Sequence, residues 1–284
     1  MKRILIIITM SIWDMCSIYA QHTHEIEPAI LECHYEHIKV VDTVTFRNLG
    51  KDIMILRIGK DVSQFFSYYT FNGDSLWNDP KGKKIIEKST LDAIRKRKFS
   101  EIPGARTTSE YIYKNYPKGE FSTYGLVSPN DYYVIKEDTP TFQWIITDST
   151  KTVCGYACQL ATTDFRGRSY KAWFTPEIPI SDGPWKLSGL PGLILEAYDT
   201  QNHYHYTLIG IKQSDLKPVE FYNYWERKYE KIERIKYLKA QYKSHNDTHP
   251  MRTIKAKTGI DLGEDSPSRE RPKVAFDFLE RDYR

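Results

Sequence analysis

The sequence predicts a mainly β protein: a curved antiparallel sheet or incomplete β-barrel covered by one long amphipathic helix. Three observations point to it. From Thr141 onward, short runs of apolar and polar residues alternate between turn-forming clusters at regular spacing. Residues 219–243 carry a sustained helical periodicity, with Phe221, Trp225, Ile232, Ile235, Leu238 and Tyr242 against a face of Glu and Lys. Hydrophobic residues make up 40% of the 284, and 21 are Tyr, enough apolar surface for a packed core.

The chain opens with Lys2 and Arg3, an apolar stretch over 4–13, and Ala20 before Gln21. A charged start, a short apolar segment and a small residue predict a signal peptide over 1–20. The apolar stretch is too short to cross a bilayer, which takes about 20 residues. No comparable run recurs, so the mature chain is expected to lack a transmembrane segment. Cys16 lies inside the signal, without the Leu and small residues that precede a lipid-modified cysteine. Residues 21–284 show no repeat or linker and read as one domain.

Within it, 30–46 and 52–58 look like two or three strands, and Ser89-Thr90 is a possible N-cap for a modest helix to Phe99. The meander follows. Residues 141–147 place Phe142, Trp144 and Ile146 on one face and end at the turn Asp148-Ser149-Thr150-Lys151. Strands are then expected over 153–162, 169–174, 193–198 and 203–212. The helix over 219–243 begins after Pro218, a favourable start, and supplies the cover a single sheet layer needs. A polar, partly mobile stretch near 263–272 precedes an alternating run at 274–279.

Between two of these strands stands Gly189-Leu190-Pro191-Gly192-Leu193-Ile194. Pro191 fixes its φ and offers no amide donor, and the flanking glycines can take positive φ or admit another backbone. The hexapeptide is thus a shaped turn. The apolar run 193–198 behind it suits a strand covered on both faces. Together with the surrounding residues from Asp182 to Asp199, with Tyr170-Lys171-Ala172-Trp173-Phe174-Thr175-Pro176-Glu177-Ile178-Pro179-Ile180 upstream, and with a looser stretch from Arg57 to Ser67, it resembles the GLPGLI family of exported Bacteroidetes proteins. That resemblance implies a protein of the periplasm or cell surface of a Gram-negative bacterium and carries no established reaction. At fold level, a curved sheet under a helix also looks like the half-barrel of periplasmic lipoprotein carriers.

Cys33, Cys154 and Cys158 remain after the signal. On one strand, Cys154 and Cys158 would lie about 13 Å apart at ~3.3 Å per residue, too far to bridge. Cys33 is then expected to pair with one of them in an oxidising envelope. The run Gly155-Tyr156-Ala157-Cys158 resembles the family's cysteine position, which implies a Cys33–Cys158 disulfide.

The net charge of +4, without a concentrated basic face, argues against nucleic-acid binding. No nucleophile elbow, zincin helix, phosphate loop or dinucleotide fingerprint occurs, so no cofactor is expected and an enzyme is the weaker reading. The leading expectation is a non-catalytic envelope protein that binds a partner protein or an apolar or peptide-like ligand, with Trp173, Trp185, Lys186, Leu190, Pro191 and Trp225 as candidate binding residues. The alternative is zinc or copper handling by His203 and His205, about 6.6 Å apart on one strand face at ~3.3 Å per residue, with His34 or His37 as a further ligand. A hydrolase using acidic or thiol catalysis stands third.

Overall fold

The computed structural model describes residues 23–40, 42–46, 49–96, 108–128, 131–223, 226–247, 255–256, 259 and 277–283. After a short β1 (His24–Glu27), the long strands β2 (Ala29–Val40) and β3 (Leu49–Gly59) run antiparallel. β4 (Ser63–Ser67) turns back along β3 and leads into α1 (Tyr68–Asn78) and α2 (Pro80–Arg95). Ser67 caps α1 by accepting from the Thr70 amide at 3.2 Å. Pro80 stands at the first position of α2, and the Asp79 carboxylate accepts from the Gly82 amide at 2.7 Å. Then come β5 (Tyr111–Lys114), β6 (Glu120–Ser128), β7 (Asp131–Asp138), β8 (Ile145–Val153), β9 (Tyr156–Phe165), β10 (Arg168–Thr175), β11 (Leu193–Asp199) and β12 (Tyr204–Lys212). The chain continues through β13 (Val219–Phe221), β14 (Glu230–Lys231) and α3 (Arg234–His245).

Twelve of these strands form one sheet in the order β14-β7-β6-β5-β4-β3-β2-β12-β11-β10-β9-β8, antiparallel except for the two-residue β14 beside β7. The predicted meander is present as β8 to β12. Its last strand joins β2, so the amino-terminal strand sits mid-sheet and a second arm runs outward from it to β7. Arg166, in the turn after β9, reaches Glu137 of β7 at 2.5 Å, and Lys186, in the long β10–β11 loop, reaches the same carboxylate at 2.5 Å. The two arms therefore curl towards each other, but the sheet stays open and no barrel closes.

Alternation along β2 shows what lies on each face. Leu31, Cys33 and Tyr35 point into the main core with Leu56, Phe174, Leu187 and Leu208. Leu193, Ile194 and Leu195 are all buried, so β11 is covered on both sides as its apolar run predicts. The opposite face of the second arm carries Ile55, Phe66, Tyr111, Tyr113 and Tyr124 under Phe71 of α1 and under Phe221 and Tyr222. Two buried cations tie loops to this frame. Lys114 donates to Asp182 at 2.6 Å and to the Gly183 and Leu187 carbonyls, while Arg57 holds Glu32, the Tyr222 hydroxyl and the Pro218 carbonyl. Burial pushes the Glu32 carboxyl up, but the hydrogen bond from His34 and the Arg57 charge outweigh it and bring Glu32 down to about 2.

Several expectations are corrected. No single long helix spans 219–243. Val219 and Phe221 alternate as a strand against β1, and Asn223 then closes a turn, its side chain accepting from the Arg227 amide at 2.9 Å and donating to the Arg227 carbonyl at 3.0 Å. Phe221 pairs with His24 of β1 and Val219 with Glu27, so the backbone here is extended. The helix begins only at Arg234. The predicted turn at 148–151 lies inside β8, and the chain reverses instead at Cys154-Gly155, both at positive φ (47° and 85°), as a two-residue hairpin requires. The Cys33–Cys158 bridge is not formed: Cys33, Cys154 and Cys158 are free thiols. Cys33 on β2 and Cys158 on β9 are separated by β12, β11 and β10. Four strand spacings of about 4.8 Å along the sheet exceed disulfide reach. Residues 1–20, Trp225 and the stretch 263–272 lie outside the described residues.

Candidate functional site

Following the inner face of β2 past the core, residue 37 is His and residue 39 is Lys, and here the sheet stands away from its cover. A cavity of about 410 Å³ lies between the sheet and α3. Its floor crosses several strands. Ile135, Thr123, Ile112 and Phe65 are consecutive cross-strand partners on β7, β6, β5 and β4, followed by Met54 on β3, His37 on β2 and its partner Tyr206 on β12. The roof is α3, whose Arg234, Tyr237, Leu238, Gln241 and Ser244 recur at helical spacing and face inward. Trp185-Lys186 and the segment Phe278-Leu279-Glu280 form the remaining wall.

Two ionic groups hold that wall in place. Lys186 lies between Glu137 (2.5 Å) and Glu280 (2.7 Å), and Arg234 contacts the same two carboxylates at 3.2 and 2.5 Å. Burial alone would lower the Lys186 amine, but Glu280 and Glu137 raise it above its ordinary value, and Glu280 is held below its own. Behind them Arg168, almost wholly buried, donates to Asp199 at 2.8 Å and to the Phe278 and Leu279 carbonyls at 2.7 and 3.0 Å. Residues 277–283 are thus clamped across the mouth of the curl.

Inside the cavity the polar groups differ in how well they are met. Glu110 accepts from the Tyr237 hydroxyl at 3.0 Å and from Gln241 at 3.3 Å, and burial raises its carboxyl. The His37 ring stacks on Tyr206 with centroids 4.3 Å apart, and burial, then the nearby Lys39 and His205, lower it to about 3, so it is neutral at physiological pH. Neither His37 Nε2 nor Thr123 Oγ1 has a hydrogen-bond partner among the described residues, although both side chains are buried. Buried polar atoms are paired in the great majority of cases, so these two are exceptions within the packing of the floor, and neither is open to the cavity.

The residues expected to bind separate into three groups. Trp185 and Lys186 line the cavity. Leu190 is packed in the main core and Pro191 is exposed on the loop. Trp173 lies away from the cavity, opposite Glu196, with Lys151 4.5 Å above its ring. The four histidines expected to share a metal are kept apart. His205 pairs with Glu196 at 2.8 Å and His34 with Glu32 at 2.8 Å, at distant registers of one face, while His37 faces inward and His203 lies in a turn beside Asp277 and Arg168. Among the described residues no three His, Cys, Asp or Glu converge on a metal position. Thr123, Glu110 and Tyr237 were not singled out by the sequence. The expected stripe of 232, 235, 238 and 242 shares only Leu238 with the face that α3 turns to the cavity, and nothing local marks a buried threonine inside β6.

A family described as a protein of unknown function (Porph_ging) matches residues 166–196, from the turn before β10 through the Gly/Pro loop into β11. The match contains the hexapeptide, Trp185 and Lys186. No curated protein sequence matches the chain. Among solved structures, PNGF-II in a P21 crystal form is similar at 15% identity and a TM-score of 0.47, over 79% of this chain and 34% of that one. The C2 form gives 14% and 0.46, over 76% and 33%. The chain spans about a third of the length of PNGF-II. No helix among the described residues is long and apolar enough to cross a membrane.

Proposed function

We propose that this chain is a non-catalytic binding protein of the cell envelope, of the GLPGLI type, that takes a small molecule into the cavity between its sheet and α3. The observation that carries the reading is the cavity itself, about 410 Å³ lined by Met54, Phe65, Ile112, Trp185 and Leu238 with Glu110 and Gln241 among its polar groups. A cavity with aromatic and aliphatic walls and a few polar groups suits small-molecule binding. The charged start and short apolar stretch before Gln21 support export. In this reading the curved sheet works as the half-barrel envelope carriers do, with a short helix and the 277–283 segment as its cover.

Binding of a fluorescent apolar probe, N-phenyl-1-naphthylamine, tests it. The probe should brighten on mixing with the protein, and Leu238→Trp, which fills the space under α3, should abolish the signal while leaving the circular dichroism unchanged. A signal that survives Leu238→Trp would place binding elsewhere.

A further inference from the structure

We infer that α2 is a docking face for an anionic phospholipid surface, a role separate from the cavity. Residues 80–96 hold six cations, Lys81, Lys83, Lys84, Lys88, Arg95 and Lys96, against Glu87 and Asp92. That excess equals the net charge of +4 carried by the whole chain, so the rest of the sequence is balanced and its near-neutral total hides a local concentration. All six cations are exposed.

Helix geometry sorts these residues. At about 100° per residue, Lys81, Lys84, Lys88 and Arg95 fall within an arc of about 60°. Leu91 borders that arc on one side and Ile85 on the other, and both are exposed, at 54% and 60%. The opposite side of the helix fixes its rotation: Ile86 and Ala93 are buried, and a Cβ on Gly82 would stand 2.3 Å from the Leu76 carbonyl oxygen, so α2 starts hard against the end of α1. The cationic arc therefore looks away from the protein. Asp92 beside it reaches Arg95 at 3.9 Å, an exposed pair of little strength.

A row of cations between two exposed aliphatic side chains matches a bilayer of anionic lipid. Phosphate groups attract the lysines, and Leu91 and Ile85 meet the boundary between headgroups and acyl chains. A nucleic acid would use the charges and leave both aliphatics against water. Because Ile86 and Ala93 are turned inward, the helix cannot sink that side into a bilayer, so the contact is peripheral and carried mainly by charge. The neighbouring α1 exposes Tyr68, Tyr69 and Leu76 as well, and tyrosine suits the headgroup level.

Co-sedimentation of the full chain with vesicles of phosphatidylcholine, alone or mixed with phosphatidylglycerol at about 3:1, tests this. Binding should require phosphatidylglycerol and should be lost as ionic strength rises from about 0.1 M to about 1 M, where the Debye length falls from ~10 to ~3 Å. Each cation near the surface contributes about five-fold to partitioning, so Lys84→Gln with Lys88→Gln should weaken it about 25-fold. Lys239→Gln with Lys243→Gln removes the same charge from exposed positions of α3 and should change it by less than about two-fold. Ile85→Ser with Leu91→Ser should weaken it about five-fold at unchanged charge. All six positions are exposed, so none of these variants should alter the circular dichroism. Equal binding to both vesicle types, no binding to either, or equal loss in the two lysine pairs would overturn the inference. So would retention of a short DNA duplex without partition into phosphatidylglycerol vesicles, which would make α2 a nucleic-acid face. None of these outcomes bears on the cavity, whose lining contains no residue of α2.

Discussion

Tyr237 of α3 donates its hydroxyl to Glu110 at 3.0 Å, and it does so directly above Gly125 of β6, where a Cβ would stand 2.3 Å from that hydroxyl oxygen. The glycine lets the helix settle on the sheet at this end while the cavity stays open beside it. Gly125→Ala should displace the Tyr237 ring, break its bond to Glu110 and destabilise the fold by about 1–3 kcal/mol. Urea denaturation measures this, and tyrosine-to-phenylalanine replacement at 237 in the same background should recover part of the loss.

Gly189 and Gly192 of the hexapeptide should respond differently to alanine. Gly192 has φ of +154°, and a Cβ there would lie 2.1 Å from the Thr175 carbonyl oxygen, a backbone atom that cannot swing aside. Gly189 has φ of +90° but its nearest neighbour to a Cβ is the Trp144 ring at 3.7 Å. Gly189→Ala should cost only the backbone strain, about 1–2 kcal/mol. Gly192→Ala should exceed it by several-fold and could prevent folding, read by the urea midpoint of each variant.

Arg168 is the pin of the 277–283 segment. Arg168→Met removes the counter-charge of Asp199, which keeps only the Tyr204 amide, and the donor to the Phe278 carbonyl, with an expected loss of about 3–5 kcal/mol in this buried setting. Hydrogen exchange should show amides of 277–283 losing protection before those of β11. Equal loss in both would mean the segment is not separately held.

His37 should make the protein sensitive to mild acid. Its folded value, about 3, lies below the ordinary 6.5, so on acidification the unfolded chain takes up a proton that the folded chain refuses. Stability therefore falls as pH drops through the window from 6.5 towards 3, by about 2 kcal/mol between pH 6.5 and 5. His37→Phe should flatten that part of the profile of unfolding free energy against pH. An unchanged slope would show that the ring is solvated in the folded protein. The Glu32 contribution lies lower, present above 4.5 and lost on descent to about 2.

The arm from β8 to β12 was legible because its strands alternate and end at glycine, asparagine and aspartate turns. Of the other arm β3 was legible, as the run 52–58. β4 and β5 are short and buried on consecutive positions, as Ser63-Gln64-Phe65-Phe66-Ser67 and Tyr111-Ile112-Tyr113-Lys114 are, so no period of two remains to be read. The helix expected at 219–243 failed for the converse reason. Aromatic residues at spacings of three, four and seven suggested a helical stripe, while Asn223 and the partner strand β1 decided the backbone through contacts distant in sequence. Of the site, Trp185 and Lys186 came from the motif around the hexapeptide. His37 was picked out only as a metal ligand, and its place on the cavity floor beside Tyr206 depends on a register between β2 and β12 that local patterning does not encode.

The most direct test is a crystal structure of the protein soaked with N-phenyl-1-naphthylamine. Ligand density should lie between the sheet and α3, against Phe65, Met54 and Leu238. Density confined to another surface, or side chains closed over the space between the sheet and Leu238, would contradict the cavity as the binding site.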